Sequence, residues 1–443
     1  MSKNYTPNDL ANFVFRELAR SKTSKKPSKS ILEQLFNTLY YTSLQTEEGQ
    51  FIKVTITLYD HLSAHKTVTH NDDWKFFPFG TPMEFSVKNL VKLSKAADPW
   101  SSSLSVYYNE NEQLFIHGMI DQAVHYQNFL NYERDNEPLY PGMIQTMING
   151  IGILNVMLEY QPLAALNQNY LVRHYPNVFE YGPVSDFIVS SSAYSKKELE
   201  KAMKEKLDET DVEVFNDFIF EYVIQSISRI LLKIKNYHHG GAILITKDFK
   251  PSTDLNIKYK LEYNRIQTAV MNILSTVMDS EALEKVIKSL KRRGEDMPIE
   301  LHEEYDLSEI DIEDSFNELS GAVRFVSSLT CVDGLVLLSP QMVVHGFGAV
   351  ISEKGHPDVV YISNASKPAN KLVKMAPSHF GTRHQSMFSY CLKHPESLGF
   401  VVSQDGEIRA IKNVNGKIIV WENIKVYQFL KSNKLAKVVG WKP

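Results

Sequence analysis

The hydrophobic period of the chain changes repeatedly, and these changes restrict its fold more than any other feature. Residues 51–59 alternate in polarity and are rich in β-branched side chains, which is typical of a strand. Residues 195–236 carry apolar side chains at helical spacing. Paired glycines, Gly240 and Gly241, end that tract, and a short apolar strand follows over 242–246. The sequence therefore predicts an α+β or α/β fold in which a C-terminal mixed β-sheet is flanked by helices and the N-terminal domain is α+β.

The length of 443 residues allows two or three domains. We predict a short N-terminal helix and a basic linker over residues 1–29, followed by an α+β domain over 30–194. A second domain is predicted over 195–443, with a helical and acidic insert over 250–318. The most acidic part of that insert, residues 295–318, is expected to be solvated and partly a loop.

The charge balance and the cysteine content exclude several classes of protein. Lys and Arg number 48 against 52 Asp and Glu, and the resulting net charge of −4 argues against nucleic acid as a partner. The two cysteines, Cys331 and Cys391, cannot form a disulfide framework, and both are expected to be small buried hydrophobes. No stretch approaches the roughly 18 apolar residues of a membrane span, and no secretory signal is recognised. We therefore expect a cytoplasmic protein with no membrane partner.

Two glycine-containing motifs are candidates for a ligand site. Gly240-Gly241 lies where a helix gives way to a strand, and paired glycines allow a ligand to approach the backbone closely. The same pair could simply turn the chain. Asp333-Gly334 stands inside an otherwise apolar stretch, where a carboxylate is costly to bury unless it is paired or holds a metal. The alternative is an Asp-Gly turn at the edge of a strand.

A third motif opens a helix predicted over residues 381–393. It reads Gly381-Thr382-Arg383-His384-Gln385-Ser386 and offers hydroxyls, a guanidinium and an imidazole. Together with the backbone N–H groups of a helix start, these side chains can bind a polyphosphate. The alternative is a well-capped helix start with charged surface residues.

Taken in order, these motifs resemble those of the diadenylate cyclase domain, over a segment from about residue 213 to about 425. That family carries a Gly-Ala-Leu-like strand, matched by residues 240–244, and an Asp-Gly-Ala motif, matched by 333–335 with leucine as its third residue. Its Gly-Thr-Arg-His-Arg motif is matched by 381–385 with glutamine as its last residue. Its Val-Val-Ser-Glu-Glu strand end corresponds to residues 401–405.

The resemblance implies an enzyme that condenses two ATP molecules into cyclic di-AMP or a related nucleotide. Asp333 would bind Mg²⁺ or Mn²⁺ and help to activate the ribose 3′-hydroxyl, and Asp405 would be a second metal ligand. Arg383 and His384 would be catalytic together with Asp333. Self-association through the cyclase-like domain is implied, because two ATP-loaded domains must face each other. The nucleotide-binding residues implied are Gly240, Gly241, Gly334, Leu335, Gly381, Thr382, Arg383, His384, Gln385 and Ser386.

Three departures from the family pattern leave a second hypothesis open. Gln385 replaces a guanidinium by a neutral amide, which removes charge stabilisation at a phosphate. Gln404 removes one acidic group, and Leu335 adds bulk where alanine is usual. The C-terminal half is therefore predicted to be either a nucleotidyltransferase or a catalytically degenerate nucleotide-binding sensor module.

Two stretches of the N-terminal half resemble a second kind of domain. Residues 98–103 and 118–122 are similar to a sensor domain of the DACNV type, which is fused to such cyclase domains in bacteria. The resemblance implies that the N-terminal domain senses a signal and regulates the C-terminal one.

Overall fold

In the described part of the chain, the computed structural model contains two compact units, each built on a large sheet, and residues 46–51 form a separate two-stranded sheet. The described residues through Tyr175 form the first unit, and those from Pro176 onward form the second. This division lies earlier than the predicted one at 194/195, because Val178, Phe179 and Val184 already belong to the second core. The structure describes residues 4–20, 26–59, 75–98, 101–122, 143–158, 161–204, 206–237, 239–247, 254–353, 355–368, 372–404 and 406–426.

The first unit is an eight-stranded sheet covered on one face by helices. Its strand order is β10-β9-β8-β7-β3-β5-β6-β4, and β3 with β5 is a parallel pair. The apolar sides of α1 and α2 form one core with this face of the sheet. The elements are α1 (Pro7–Arg20), α2 (Lys29–Ser43), β1 (Thr46–Glu47), β2 (Gln50–Phe51), β3 (Val54–Leu58), β4 (Lys75–Glu84), α3 (Val87–Ser94), β5 (Ser102–Tyr108), β6 (Leu114–Asp121), β7 (Ile144–Gly150), β8 (Ile153–Leu158), β9 (Gln161–Asn167) and β10 (Tyr170–Val172).

The second unit is built on a nine-stranded mixed sheet. Its strand order is β12-β14-β13-β11-β17-β18-β19-β15-β16, with parallel pairs at β11/β13 and β15/β19. The elements are α4 (Pro183–Ser192), α5 (Lys196–Met203), α6 (Glu209–Asn236), β11 (Gly241–Thr246), β12 (Leu255–Tyr263), α7 (Arg265–Arg293), α8 (Ile299–Leu329), β13 (Leu335–Leu338), β14 (Val344–Ile351), β15 (Val360–Ser363), β16 (Val373–Met375), a 3₁₀ turn (Pro377–His379), α9 (Thr382–Lys393), β17 (Ser397–Val402), β18 (Ile408–Val414) and β19 (Lys417–Trp421).

Alternate side chains of the central strands serve two different cores. Ile243 and Val336 point into a core shared with α6, α7 and α8. Leu244 and Leu337 point to the opposite face, into a core with α9. The sheet is thus covered on both faces by helices, and the fold class predicted from the sequence is confirmed.

One helical detail differs from the sequence-based expectation. The tract 195–236 is two helices rather than one, because Ser195 and Asp208 each start a helix with a capping box. The acidic run is partly a loop, as expected: residues 295–298 are a loop, and the rest is helical from Ile299 in a helix that continues to Leu329.

Candidate functional site

The strand register brings the Gly240-Gly241 and Asp333-Gly334 motifs and the end of β17 to one end of the sheet of the second unit. In the parallel pair β11/β13, Ile243 is opposite Val336, so Gly240 and Asp333 both lie three residues before those partners. In the antiparallel pair β11/β17, Gly241 is opposite Val402, so the chain after β17 passes the same end.

Gly240 lies where β17 and the start of α9 approach β11. Its φ is +69°, a conformation that favours glycine, and a Cβ placed there would lie 3.0 Å from the Val402 carbonyl oxygen. The same Cβ would lie 3.1 Å from Nη1 of Arg383 and 3.4 Å from the backbone N of Gln404. The absence of a side chain at Gly240 therefore leaves room for the guanidinium of Arg383.

Arg383 and Asp333 form an open ion pair at this site. Nη2 of Arg383 lies 3.7 Å from Oδ1 of Asp333, and the two side chains are 35% and 97% exposed. A pair this exposed contributes little to folding, so both groups are available to a ligand. Asp333 is not buried in an apolar stretch: it is exposed in the bend before β13, as in the Asp-Gly turn that the sequence left open.

Gly334 positions Asp333 by contacting backbone. Its φ is +117°, and a Cβ there would lie only 2.6 Å from the carbonyl carbon of Gly348 on β14. Leu335 is buried in the core next to α9. Gly241 faces α6, since a Cβ there would lie 2.9 Å from Cγ2 of Ile234. These three residues are packed against β14, the core and α6 beside the site.

The first turn of α9 supplies the remaining predicted residues. Thr382 is exposed, and among the described residues no atom beyond the chain neighbours of Gly381 lies within 4 Å of a Cβ placed there, so this helix start is open. The side chains of Gln385 and Ser386 instead form hydrogen bonds to backbone carbonyl oxygens at the helix start. Nε2 of Gln385 donates to the Phe380 carbonyl oxygen at 2.6 Å, and Oγ of Ser386 donates to the Thr382 carbonyl oxygen at 2.8 Å.

His384 is buried and faces a charged cluster that the sequence did not reveal. Its Nε2 lies 3.3 Å from Nη1 of Arg409, which also lies 3.4 Å from Oγ of Ser403. Arg409 is paired with Glu407 and, at 3.2 Å, with Glu422. Charges that alternate with apolar residues along a strand usually indicate a solvent face, so no sequence signal pointed to this cluster.

The described residues offer few ligands for a metal. Among them, no group of three His, Cys, Asp or Glu side chains is close enough to hold an ion. Asp333 is the carboxylate that the structure places at the site. Asp405, the second predicted ligand, lies outside the described residues.

Comparison with known proteins identifies a domain in the N-terminal half. Residues 21–121 match the family described as probable sensor domain DACNV, so the predicted N-terminal sensor domain is confirmed there. The match includes α2, α3 and the strands β1 to β6. No curated protein matches the chain. In the part of the chain that the structure describes, no helix is both long enough and apolar enough to cross a membrane.

Proposed function

We propose that the second unit binds ATP and joins two molecules of it into cyclic di-AMP or a related nucleotide, under regulation by the N-terminal sensor domain. The observation that carries this proposal is the convergence of Gly240, Asp333 and Arg383 at one end of the sheet, beside the open start of α9. These are the residues that the resemblance to diadenylate cyclases requires at one place.

The chemistry follows from the groups present. The 3′-hydroxyl of one ATP attacks the α-phosphate of the other, the P–O bond to pyrophosphate breaks, and the hydroxyl proton is released; a second such step closes the ring. Arg383 and the N–H groups of the first turn of α9 bind the triphosphate, and Thr382 adds a hydroxyl. Asp333 orients the attacking hydroxyl. Gly240 leaves the space that the guanidinium of Arg383 occupies.

A divalent cation fits the site through Asp333. Magnesium in nucleotide sites is commonly held by one or two carboxylates together with substrate phosphates and water, so one highly exposed carboxylate meets the minimum. Asp405 would be the second carboxylate. Mg²⁺ or Mn²⁺, when bound, would neutralise charge on the phosphates.

The second candidate function is nucleotide binding without turnover. It is favoured by the positions of His384 and Gln385, because both side chains are engaged by protein groups, Arg409 and the Phe380 carbonyl. A site in which Arg383 is the main phosphate ligand would still bind ATP. It would stabilise the transition state less well than one with a second guanidinium.

Incubation of the full chain with ATP and Mn²⁺, followed by mass spectrometry of the products, tests both candidates. A cyclic dinucleotide with release of pyrophosphate supports the enzyme, and Asp333→Asn should abolish it. The control Asp217→Asn, on the exposed side of α6, should not. Binding measured by calorimetry without consumption of ATP would support the sensor module, and absence of binding would contradict both.

A further inference from the structure

Helices α7 and α8 form a long antiparallel hairpin. They are joined through Gly294, whose φ of +70° ends α7, and Pro298, which precedes α8. Contacts between the helices fix their direction. Nδ2 of Asn272 donates to Oε2 of Glu318 at 3.2 Å, and Oγ of Ser280 donates to Oε1 of Glu309 at 3.0 Å. Residues 281–312 therefore form the outer half of the hairpin, which we call the tip.

The tip has little core of its own. At the base, Ile273, Leu319 and Val323 pack into the large core of the second unit. Across residues 281–312, all of which the structure describes, Ile287 is the apolar side chain that is buried. Two isolated helices with so little packing gain little stability from propensity alone.

Three exposed apolar side chains lie on one side of α8 in the tip. Ile299, Leu307 and Ile310 are 74%, 60% and 53% exposed. At about 100° per residue they fall within an arc of about 80°, on the side of the helix opposite the buried Leu319 and Val323, and the exposed Glu303 lies in the same arc. Exposed apolar side chains grouped on one side of a helix, away from its own core, are typical of a surface that meets a partner.

The charges of the two helices are separated and complementary. From residue 299 to 318, α8 carries acidic residues and neither Lys nor Arg. The end of α7 is strongly basic, and its exposed Val286 supplies an apolar side chain. The acidic residues of α8 are Glu300, Glu303, Glu304, Asp306, Glu309, Asp311, Glu313, Asp314 and Glu318, and the basic ones of α7 are Lys285, Lys288, Lys291, Arg292 and Arg293.

We propose that the tips of two copies of this chain pair, with α7 of one copy against α8 of the other. Val286 lies eight residues before Gly294 and Leu307 nine residues after Pro298, so the two side chains stand at similar heights on the hairpin. A two-fold axis would bring Val286 of each copy to Leu307 of its partner and oppose the basic end of α7 to the acidic face of α8. A second copy offers both a basic and an acidic surface, whereas a purely basic partner would match only the acidic residues of α8.

Sedimentation velocity of the full chain without nucleotide tests the proposal. The wild-type chain should form dimers at micromolar concentration, and Leu307→Ser/Ile310→Ser should raise the dissociation constant at least tenfold. The matched control, Val189→Ser/Val373→Ser, removes two equally exposed apolar side chains elsewhere and should leave the dimer intact. A monomeric wild-type chain at about 100 μM would overturn the proposal, as would equal effects of the two variants.

A charge exchange separates pairing of the tips from a loss of folding. Arg292→Glu/Arg293→Glu and Glu300→Arg/Glu303→Arg should each weaken dimerisation, because each places like charges against the partner. The chain with all four changes keeps its net charge and should regain the dimer with copies of itself. Dimers that persist in both double variants would contradict the proposal. Circular dichroism at 222 nm confirms that each variant is folded, and because ATP is absent, the result does not depend on the proposed chemistry.

Discussion

Nη1 of Arg409 on β18 lies 3.3 Å from Nε2 of His384 on α9. A guanidinium has donors and no acceptor, so Nε2 of His384 must accept this hydrogen bond and cannot at the same time donate to a phosphate. Arg409 is in turn held by Glu407 and Glu422. The histidine that the family motif assigns to the triphosphate is thus tied, through its Nε2, to a charged cluster next to the site.

Removal of Arg409 should therefore destabilise the second unit. In Arg409→Ala, the largely buried Glu407 and Glu422 lose their cation, and the free energy of unfolding should fall by about 3 kcal/mol. Urea denaturation followed by tryptophan fluorescence measures this change, because the buried Trp421 lies on the neighbouring strand β19.

An exposed ion pair supplies the control for this variant. Arg265 contacts Glu318 at 2.7 Å but is 60% exposed, so Arg265→Ala should cost less than about 1 kcal/mol. Equal losses in the two variants would show that the Arg409 cluster contributes no more than a surface pair.

Gly240→Ala should lower both the stability of the second unit and its affinity for ATP. A Cβ at Gly240 is strained by the φ of +69°, which costs about 1–2 kcal/mol of stability, and it also displaces Arg383. A charge-assisted contact of that guanidinium to the triphosphate is worth about 1.5–3 kcal/mol, and because about 1.4 kcal/mol corresponds to a factor of ten, we expect binding of ATP to weaken at least tenfold in calorimetry.

Gly416→Ala separates these two effects. Gly416 has a φ of +79°, but in the part of the chain that the structure describes no atom beyond its chain neighbours lies within 4 Å of a Cβ placed there. The variant should lose a similar amount of stability and bind ATP like the wild type. If Gly240→Ala also binds ATP normally, the nucleotide does not depend on the placement of Arg383.

The sequence predicted the sheet-and-helix class, the helix over α9 and the sensor domain, because hydrophobic period and motif order are local properties. The proximity of Asp333 to Arg383 depends on the strand register, and no local sequence pattern encodes that register. The Arg409 cluster was missed because Glu422, which follows β19, is brought beside Arg409 only by the pairing of β18 with β19. The residue at which α8 begins within the acidic run could not be predicted, since its many acidic residues outweigh a sparse apolar stripe.

Two neighbouring hydroxyls in the first unit should respond oppositely to removal. Thr57 and Ser105 are paired in register across β3 and β5, and both are fully buried. Oγ1 of Thr57 accepts from Nε2 of Gln145 at 3.0 Å and lies 2.7 Å from Oγ of Ser103. Thr57→Val leaves these partners unsatisfied and should cost about 1–3 kcal/mol in thermal or urea unfolding.

Ser105→Ala is the matched control for Thr57→Val. Among the described residues, Oγ of Ser105 has no hydrogen-bond partner, so its removal relieves a buried unsatisfied group. Stability should stay the same or rise. A destabilisation as large as that of Thr57→Val would show that the hydroxyl of Ser105 is satisfied in solution.

The two cysteines should differ sharply in reactivity, although the sequence led us to expect both to be buried. Cys391 lies on α9 and is buried against β18, and this burial raises the pKa of its thiol to about 11. At pH 8 only about one in a thousand of such thiols is ionised, and the group is also inaccessible. Cys331 is exposed, so the expectation of burial is wrong for this residue.

A thiol reagent such as dithiobis(nitrobenzoic acid) should therefore modify one cysteine per folded chain at pH 8, and none in Cys331→Ser.

Cys331 lies two residues before Asp333, at the edge of the proposed nucleotide site. Saturating ATP should slow its modification, because a bound triphosphate covers this edge and repels the anionic reagent. The protection should disappear in Arg383→Ala, which lacks the phosphate-binding guanidinium, while the rate without ATP stays close to that of the wild type. If ATP binds with unchanged affinity in Arg383→Ala and still protects Cys331, the guanidinium does not hold the triphosphate and the site assignment fails.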